Sequence, residues 1–462
     1  MNEIEWQDWD KSTFMLAKEK DKPIIIFLTR QGCESCDKME LESFSNSKEF
    51  IFVKIDSDMR SDIDRYLHEI SYQMNSQKSG YPLILFITPD KIPLYSTGYV
   101  TNHGDDGMMG MSESMELVSS GYHNNRDTFT QNGKKVLLEI NSKPSDITAT
   151  KINDDFSEII KNQLRAVYDE ENGGFGNAPK FPRHSVFELL MDIYEKDRDE
   201  EFAMMLKNSI DKFLIDSLLD KSDNAFCQCC LDKDCQQLDI SKKLCNNALI
   251  SKILLRAGGL LGYDRYTQIA LKNIEFINSH MKSKKSVEIL AHNAIMSSVF
   301  LDAGKYEGYY KALALDLLSD IQENFMLNGK VYRYINNNKR IDGMLDDYVY
   351  LAWLMLEAYE STKEEHYKAK ASKLINTMLE YFFNSGLWLY ANSDIVVKDT
   401  IEDGECPSTS GMATLLLQKA SKLIDIGYEK FYQRSLEVNS YKIMREPLSV
   451  ATISRAAYNH KS

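Results

Sequence analysis

Residues 24–36 read Ile-Ile-Ile-Phe-Leu-Thr-Arg-Gln-Gly-Cys-Glu-Ser-Cys. The first six form an apolar run of strand length, which is typical of a strand that is buried on both faces. Gln31 and Gly32 turn the chain, and Cys33 begins a predicted helix that continues toward Phe44. The sequence therefore places a thiol at the amino end of a helix that follows a buried strand.

The neighbouring segments extend this into an alternating pattern of helices and strands. We predict a helix over 13–19, a strand over 49–55, a helix over 62–74, a strand over 83–88 and a hairpin strand over 92–95. This order is that of a thioredoxin-like α/β domain, which we assign to residues 1–125. A closing helix after the loop 104–110 completes it, and a polar connection over 126–152 is expected to follow.

Cys33 and Cys36 are the candidate catalytic residues of this domain. The partial positive charge at a helix N-terminus stabilises a thiolate, and a thiol one turn later can resolve a mixed disulfide. Pro82 precedes the third central strand, where a cis proline in this fold packs against the sulfurs. Glu34 should oppose thiolate formation at Cys33, which favours a reductant or weak oxidant over a strong oxidant. The alternative is a scaffold whose two thiols are inert or bind zinc.

From about residue 154 the pattern changes to long amphipathic helices with almost no strand-like runs. We predict about twelve helices, and their starts lie near 154, 184, 199, 242, 263, 287, 306, 343, 364, 408, 427 and 446. Twelve helices in hairpins can close an (α/α)6 toroid, which we assign to 153–462. A ring of hairpins leaves a concave mouth where a ligand would bind.

The net charge of −14 makes nucleic acid an unexpected partner, because phosphate binding needs clustered Lys and Arg. No stretch is long and apolar enough for a membrane span, and the acidic start has no signal-peptide pattern. We therefore expect a cytoplasmic protein without nucleic-acid or membrane partners. We predict neither a cofactor nor a bound metal ion.

Five of the eight cysteines lie in one segment of the second half: Cys227, Cys229, Cys230, Cys235 and Cys245. The first four could ligate zinc, but their spacing lacks the paired C-x2-C pattern of zinc knuckles. Three interpretations remain, in this order: inert buried thiols, a zinc site, and a loop that exchanges disulfides with Cys33. The histidines, including His292, show no metal-ligand spacing.

Several runs resemble the thioredoxin-domain family that includes spermatogenesis-associated protein 20. These runs are 6–9, 21–24, 33–44, 54–56, 62–66 and 80–83 in the first half, and 173–182, 343–348 and 403–408 in the second. The resemblance covers nearly the whole chain. It implies a thioredoxin-like domain fused to a six-hairpin glycosidase-like toroid, related to glycosidases and sugar epimerases.

Two departures from the family pattern bear on function. Glu34-Ser35 replaces the family's His-Trp pair, which should change the redox potential. The family's Pro-His-Phe-Glu run aligns with residues 238–241, where Asp239 and Ser241 replace the His and the Glu. Those two residues were candidates for acid–base chemistry, so carbohydrate turnover is less expected here.

Candidate substrate-binding residues of the toroid lie in its polar connections: Phe175, Lys180, Asp346, Asp347, Tyr348 and Glu405. Two carboxylates at the mouth could act as general acid and base. Adjacent residues on a helix point about 100° apart, so Asp346 and Asp347 can equally cap the helix and anchor a loop. Glu405 is the candidate second carboxylate. The loop 173–182 serves either as a substrate-binding lip or as a structural connection.

Three functions remain open from the sequence. The first is a thiol–disulfide oxidoreductase that acts on protein thiols or disulfides, with a toroid that binds a ligand or partner. The second is a carbohydrate-active hydrolase or epimerase with a structural thioredoxin domain, whose ligand is a small molecule such as a sugar. The third is an interaction protein without catalysis.

Overall fold

The computed structural model describes residues 4–460 except 31, 43, 45–47, 105–108, 143–148, 284–288, 328–329 and 337–338. The chain divides into two compact units, Met1–Asp146 and Ile147–Ser462. The first unit contains a mixed β-sheet, and the second is built mainly of helices. This confirms the predicted fold class.

The sheet of the first unit has five strands in the order β1-β3-β2-β4-β5. They are β1 (Trp6–Gln7), β2 (Ile24–Thr29), β3 (Ile51–Asp56), β4 (Leu83–Ile87) and β5 (Pro93–Thr97). Strands β2 and β3 are parallel, whereas β4 is antiparallel to both β2 and β5. All six residues of β2 are buried, because this strand lies at the centre of the sheet with both faces covered.

Five helices cover the sheet: α1 (Lys11–Glu19), α2 (Glu34–Glu42), α3 (Ser61–Asn75), α4 (Met111–Asn124) and α5 (Arg126–Ser142). The last of these lies where the sequence predicted a polar connection, so that part of the prediction is wrong. Helix α5 packs on α3 and β5. Gly133 allows the close approach, since a Cβ there would lie 1.9 Å from the carbonyl oxygen of Pro93.

The second unit has twelve α-helices within the described residues. They are α6 (Phe156–Val167), α7 (His184–Asp197), α8 (Glu200–Asn208), α9 (Leu244–Leu261), α10 (Asp264–Ser283), α11 (Leu290–Ala303), α12 (Gly308–Phe325), α13 (Leu345–Thr362), α14 (Glu365–Phe382), α15 (Thr409–Leu423), α16 (Glu429–Arg445) and α17 (Ala451–His460). A π-helix, Ser209–Leu218, continues α8, and a 3-10 turn, Ile426–Tyr428, precedes α16. Each α-helix begins within five residues of its predicted start. None of these helices, in the part of the chain described, has the length and apolarity needed to cross a bilayer.

Six of these helices form a closed inner ring. Helices α7, α9, α11, α13, α15 and α17 each pack on the next, and α17 packs back on α7. Between them along the chain lie the outer helices, which pack on the inner helix before them: α8 on α7, α10 on α9, α12 on α11, α14 on α13 and α16 on α15. Because inner and outer helices alternate, the inner helices run in the same direction and their N-termini lie at one end.

Short strands occupy the connections from outer to inner helices, which the sequence did not predict. They are β6 (Leu219–Asp220), β7 (Ala225–Phe226), β8 (Cys229–Cys230), β9 (Leu238–Asp239), β10 (Met326–Leu327), β11 (Lys330–Asn336), β12 (Lys339–Asp342), β13 (Phe383–Asn384), β14 (Leu387–Asn392) and β15 (Val396–Lys398). All pair antiparallel with their neighbours. They therefore lie at the end of the ring where the inner helices begin.

Further along the inner helices, charged side chains pair with one another. Asp192 of α7 contacts Arg256 of α9 at 2.6 Å and Arg455 of α17 at 2.9 Å. Lys252 of α9 contacts Asp302 of α11 at 2.9 Å and Glu357 of α13 at 3.1 Å. These ion pairs link the inner helices below the N-terminal end of the ring.

Candidate functional sites

Cys33 and Cys36 lie at the start of α2 and are joined by a disulfide. The carbonyl oxygen of Cys33 accepts hydrogen bonds from the backbone N–H groups of Cys36 and Asp37, at 3.0 and 3.1 Å, so Cys33 occupies the N-cap position. Cys33 is partly exposed, whereas Cys36 is 2% exposed and belongs to the core. Of the two sulfurs, Cys33 is therefore the one that an external disulfide can reach.

The Pro82 segment lies beside the cysteine turn. Its peptide bond with Tyr81 is cis. Leu28 of β2 pairs with Leu83 of β4, so Pro82 and the turn that follows β2 lie at the same end of the sheet. The guanidinium of Arg30, in that turn, lies 5.6 Å from the centre of the Tyr81 ring. The register of two strands thus brings together residues that are far apart in sequence.

Tyr81 also links the Pro82 segment to helix α3. Its hydroxyl donates a hydrogen bond to Asp64 Oδ1 at 2.6 Å, and His68 Nε2 lies 3.5 Å from the same oxygen. Burial raises the pKa of Asp64 and lowers that of His68, because it penalises the charged form of each group. Sequence reasoning missed this group, and its one signal was the i, i+4 spacing of Asp64 and His68 on a helix.

Polar residues converge where the inner helices of the second unit begin. The Tyr350 hydroxyl lies within electrostatic range of Asp346, Asp403, Cys245 and Cys406, and burial raises its pKa. His184 is in turn within range of Glu405. We call this region the mouth, and define it by His184, Gln228, Asn246, Asp346, Tyr350, Glu405 and Ser408.

Asp346 and Asp347 both bind Arg333, at 2.8 and 3.3 Å from its Nη1. Asp346 also accepts a hydrogen bond from the Tyr390 hydroxyl at 3.0 Å. Asp347 is fully buried and accepts backbone N–H bonds from Met344 at 2.9 Å and from Ala291 at 3.1 Å. Asp347 thus anchors the backbone at the start of α13, as in the capping alternative, and Asp346 is the carboxylate nearer the mouth.

The electrostatics of Asp347 reflect its burial. Burial and the neighbouring charge of Asp346 raise the pKa of Asp347, although Arg333 and the two backbone N–H groups oppose that change. Sequence reasoning missed Arg333 and Tyr390. They belong to the short strands β11 and β14, which carry no helical periodicity.

Glu405 is held by two residues of the connection before α9. It accepts hydrogen bonds from Lys243 Nζ at 2.6 Å and from Gln228 Nε2 at 2.8 Å. Its side chain remains 38% exposed. Among the predicted carboxylates, Glu405 is therefore the one that a ligand in solvent can meet directly.

Three buried polar atoms of the mouth have no hydrogen-bond partner among the described residues: His184 Nδ1, Gln228 Oε1 and Asn246 Nδ2. Each of these side chains is at most 5% exposed. His184 Nε2 lies 2.6 Å from Asn246 Oδ1. Because an amide oxygen can only accept, Nε2 carries the proton and Nδ1 is an acceptor. Buried polar groups are normally paired, so these three point to a ligand or to ordered water.

Three predicted binding residues are buried. Lys180 is fully buried, and its ammonium group binds Asp169 at 2.6 Å and the carbonyl oxygen of Gly173 at 3.1 Å. Phe175 is 2% exposed and packs edge-to-face on Phe187, and Tyr348 is 8% exposed. Lys180 and Phe175 thus stabilise the loop 173–182, which agrees with its structural interpretation, and Tyr348 packs from helix α13 on Phe382.

The cysteine-rich segment contains a second disulfide, between Cys230 and Cys235. Cys227 and Cys229 are buried thiols outside it. The inert-thiol interpretation therefore applies only to Cys227 and Cys229. Bonded sulfurs are not thiolate ligands, and no group of three metal-ligating side chains occurs in the described part of the chain. The donor set thus does not fit the four-cysteine zinc site considered from the sequence.

Comparison with protein-family models gives one match for the first unit. Residues 1–141 match the family Thioredox_DsbH, described as a protein of unknown function, DUF255. The predicted family resemblance is confirmed.

Curated relatives extend the match into the second half. The chain is 25% identical over 236 residues to the uncharacterized protein B0495.5 of Caenorhabditis elegans, covering 49% of this chain and 32% of the relative. It is 23% identical over 291 residues to human spermatogenesis-associated protein 20, covering 60% of this chain and 37% of the relative. The chain thus spans about a third of the length of the curated relatives that it matches.

Solved structures resemble the toroid. A sugar epimerase from a ruminal bacterium matches with a TM-score of 0.52 and 13% identity, over 63% of this chain and 86% of the other. A D-mannose isomerase matches with a TM-score of 0.51 and 15% identity, over 62% and 85%. The GH76 α-mannanase BT2949 of Bacteroides thetaiotaomicron matches with a TM-score of 0.50 and 12% identity, over 67% and 97%. At these identities the likeness establishes the fold alone.

Proposed function

We propose that the chain is a thiol–disulfide oxidoreductase that acts through Cys33 and Cys36. The observation that carries the proposal is the unequal access of the two sulfurs. Cys33 is partly exposed at the N-cap of α2, and Cys36 is buried one turn later. An accessible attacking thiol followed by a sheltered resolving thiol is the arrangement that disulfide exchange requires.

The reaction follows from that arrangement. The Cys33 thiolate attacks one sulfur of a substrate disulfide, and the other substrate sulfur leaves as a thiolate and takes up a proton. Deprotonated Cys36 then attacks Cys33 Sγ, and the substrate sulfur bonded to Cys33 leaves as a thiolate and takes up a proton. The substrate gains two electrons and the cysteine pair loses two, so an external dithiol must reduce Cys33–Cys36 for the next cycle.

The substrate enters beside Pro82. This residue lies at the same end of the sheet as the cysteine turn, where Tyr81 and Arg30 stack. Pro82 is buried, whereas Gly80 is exposed and Tyr81 is partly exposed, so an extended peptide would contact the residues just before Pro82. We propose that a protein disulfide binds across this segment.

The test is reduction of insulin disulfides by the full chain, with dithiothreitol as the reductant. We expect turnover above the rate with dithiothreitol alone, and loss of that turnover in Cys33→Ser. Cys406→Ser is the matched control, because Cys406 is exposed and lies outside both disulfides. A wild-type chain that adds nothing to the dithiothreitol rate, or a Cys33→Ser variant as active as wild type, contradicts the proposal.

A second candidate function is binding of a neutral polyhydroxylated ligand, such as a sugar, at the mouth. The three partnerless atoms supply acceptors at His184 Nδ1 and Gln228 Oε1, and a donor at Asn246 Nδ2. The nearby charged groups are paired, since Lys243 binds Glu405 and Arg333 binds both Asp346 and Asp347. Hydroxyl groups, which both donate and accept, match this mixed and uncharged set.

Calorimetric titration with D-mannose and cellobiose tests this second candidate. We expect binding by the full chain and at least about ten-fold weaker binding by Gln228→Met, which loses the acceptor and the bond to Glu405. Gln237→Met is the control, because Gln237 is exposed on the neighbouring hairpin loop. No heat with either sugar, or equal affinities for the two variants, counts against a sugar site.

A further inference from the structure

The hairpin of β8 and β9 carries a disulfide that the proposed function does not use. Cys229 pairs with Asp239 and Cys230 with Leu238. The Cys230–Cys235 disulfide closes the loop between the strands. The main chain of Cys230 also exchanges two hydrogen bonds with Lys180, at 2.8 and 3.0 Å. The Cys230 sulfur thus belongs to a strand that is held by main-chain hydrogen bonds, and the Cys235 sulfur belongs to the loop.

The two sulfurs differ in access. Cys230 is fully buried, whereas Cys235 is partly exposed. Two apolar side chains flank the loop in solvent: Leu231 is 51% exposed and Ile240 is 75% exposed. A reachable sulfur between exposed apolar side chains is the kind of surface that a second protein surface can cover. Cys235 is therefore the sulfur that an incoming thiolate can attack.

Neighbouring thiols are poor nucleophiles. Burial raises the pKa of Cys227, and burial together with Asp239 raises that of Cys229 to about 11. Both remain protonated at neutral pH, and a thiol exchanges disulfides through its thiolate. The Cys230–Cys235 bond is thus protected from rearrangement with the thiols beside it, and opening it requires a thiolate from elsewhere.

We propose that the Cys230–Cys235 disulfide is a substrate of the Cys33–Cys36 pair of a second copy of this chain. The inference rests on the proposed oxidoreductase function and names a protein disulfide for it. The exposed sulfur of each pair, Cys33 and Cys235, forms the mixed disulfide. The buried sulfurs, Cys36 and Cys230, are the resolving thiol and the leaving group.

The steps balance as follows. The Cys33 thiolate attacks Cys235 Sγ, the Cys230–Cys235 bond breaks, and Cys230 leaves as a thiolate that takes a proton from water. Deprotonated Cys36 attacks Cys33 Sγ, and Cys235 leaves. Two electrons pass to the hairpin pair, and an external dithiol reduces Cys33–Cys36 again.

The exchange would act on the mouth. Gln228, two residues before Cys230, donates the hydrogen bond that holds Glu405, and its backbone N–H binds the carbonyl oxygen of Asp239 at 2.9 Å. Reduction removes the covalent closure of the loop that joins β8 to β9. The positions of Gln228 and Glu405 therefore depend on the redox state of this hairpin.

The test is a trapping experiment with the full chain. Cys36→Ser leaves Cys33 without its resolving thiol, so a mixed disulfide with Cys235 should accumulate. Trypsin places Cys33 on peptide 31–38, Cys235 on peptide 234–242 and Cys230 on peptide 222–233. We expect mass spectrometry without reduction to find 31–38 joined to 234–242. The joined peptides should be lost in Cys36→Ser/Cys235→Ser and kept in Cys36→Ser/Cys406→Ser.

The outcomes separate the inference from the proposed function. If Cys36→Ser captures glutathione from its disulfide at Cys33 but never forms the Cys33–Cys235 pair, the inference is wrong and the proposed function stands. If it captures neither, both are wrong. A rate measurement without the Cys36 substitution gives the same answer: in Cys33→Ser, dithiothreitol should reduce Cys230–Cys235 at least about ten-fold more slowly than in wild type. In wild type that rate should rise with protein concentration, and a rate independent of concentration would contradict exchange between copies.

Discussion

The backbone N–H of Cys36 donates a hydrogen bond to Cys33 Sγ at 3.2 Å. A donor at this position stabilises negative charge on the sulfur, and the N-terminus of α2 adds its partial positive charge. The local backbone thus favours the thiolate form of Cys33. The donor is the backbone N–H of Cys36, the residue whose own sulfur is buried.

We expect iodoacetamide to modify Cys33 at least about ten-fold faster than Cys36 in the reduced chain, because Cys36 is buried. Both residues lie on tryptic peptide 31–38, so fragment spectra at timed intervals give the two rates in one sample. Glu34→Gln should accelerate the reaction at Cys33, since it removes a negative charge beside the sulfur. Equal rates at the two cysteines would mean that the two sulfurs do not differ in access.

His184 predicts a specific loss of stability in mild acid. Burial lowers the pKa of His184 to about 4 from its usual 6.5. Between pH 6.5 and pH 4 the unfolded chain binds a proton at this residue and the folded chain does not. The stability that neutral His184 contributes is therefore fully present above pH 6.5 and is lost progressively toward pH 4. The loss of about 3 kcal/mol is the contribution of His184 alone, because the raised pKa of Asp347 changes the stability of the second unit in the opposite sense over this range. Urea unfolding of wild type and of His184→Gln between pH 4 and 7 should show this contribution as the difference between their pH dependences.

We expect Asp192, which lies away from the mouth on helix α7, to contribute strongly to the stability of the second unit. Burial alone would raise its pKa, but Arg455 and Arg256 lower the pKa below the usual value. Asp192→Ala leaves two partly buried guanidinium groups with only Glu188 and Glu195 as ion-pair partners among the described residues, and should destabilise the second unit by about 2–3 kcal/mol. Lys207→Ala, which removes an ion pair with Asp211 at 3.1 Å on the exposed face of α8, should change stability by less than about 1 kcal/mol. Thermal unfolding measures the stability lost in each variant. Similar losses in Asp192→Ala and Lys207→Ala would contradict a structural role for the ion pairs of Asp192.

The loop 173–182 offers a matched pair of glycines. Gly174 and Gly176 both have positive φ angles, +77° and +89°. A Cβ at Gly174 would lie 2.9 Å from the Phe213 ring, whereas one at Gly176 meets nothing within 4 Å. Gly176→Ala should therefore cost about 1–2 kcal/mol from backbone strain alone, and Gly174→Ala should cost more. Denaturant midpoints measure the difference, and an equal loss would show that Phe213 moves aside freely.

Much of the fold was readable from the sequence because its signals are local. Apolar spacing and turn residues gave the helix starts of the second unit, since each helix buries one face against the ring. Helix α5 was missed because its sequence is polar and few of its side chains, among them Val136, are buried in the core. The short strands were missed because pairs of two or three residues have no period to detect.

The sites were less readable because their contacts are distant in sequence. Cys33 and Cys36 form a recognisable local motif, but Arg333 reaches Asp346 across 13 residues, and Gln228 reaches Glu405 across 177. Disulfide connectivity has the same character: the spacing of four cysteines does not determine which pair is bonded. The ring fixes these partners, and no single segment encodes them.

Closure of the ring also imposes an order on folding during synthesis. Asp192 is 64 residues before Arg256 and 263 residues before Arg455. On the ribosome, the first arginine is available to this carboxylate early, and the second only when α17 has been made. Until then the nascent ring has an open seam between α7 and α17, with apolar and acidic surface exposed. A chaperone that binds apolar surface could therefore reach the seam between α7 and α17 only until α17 has been made.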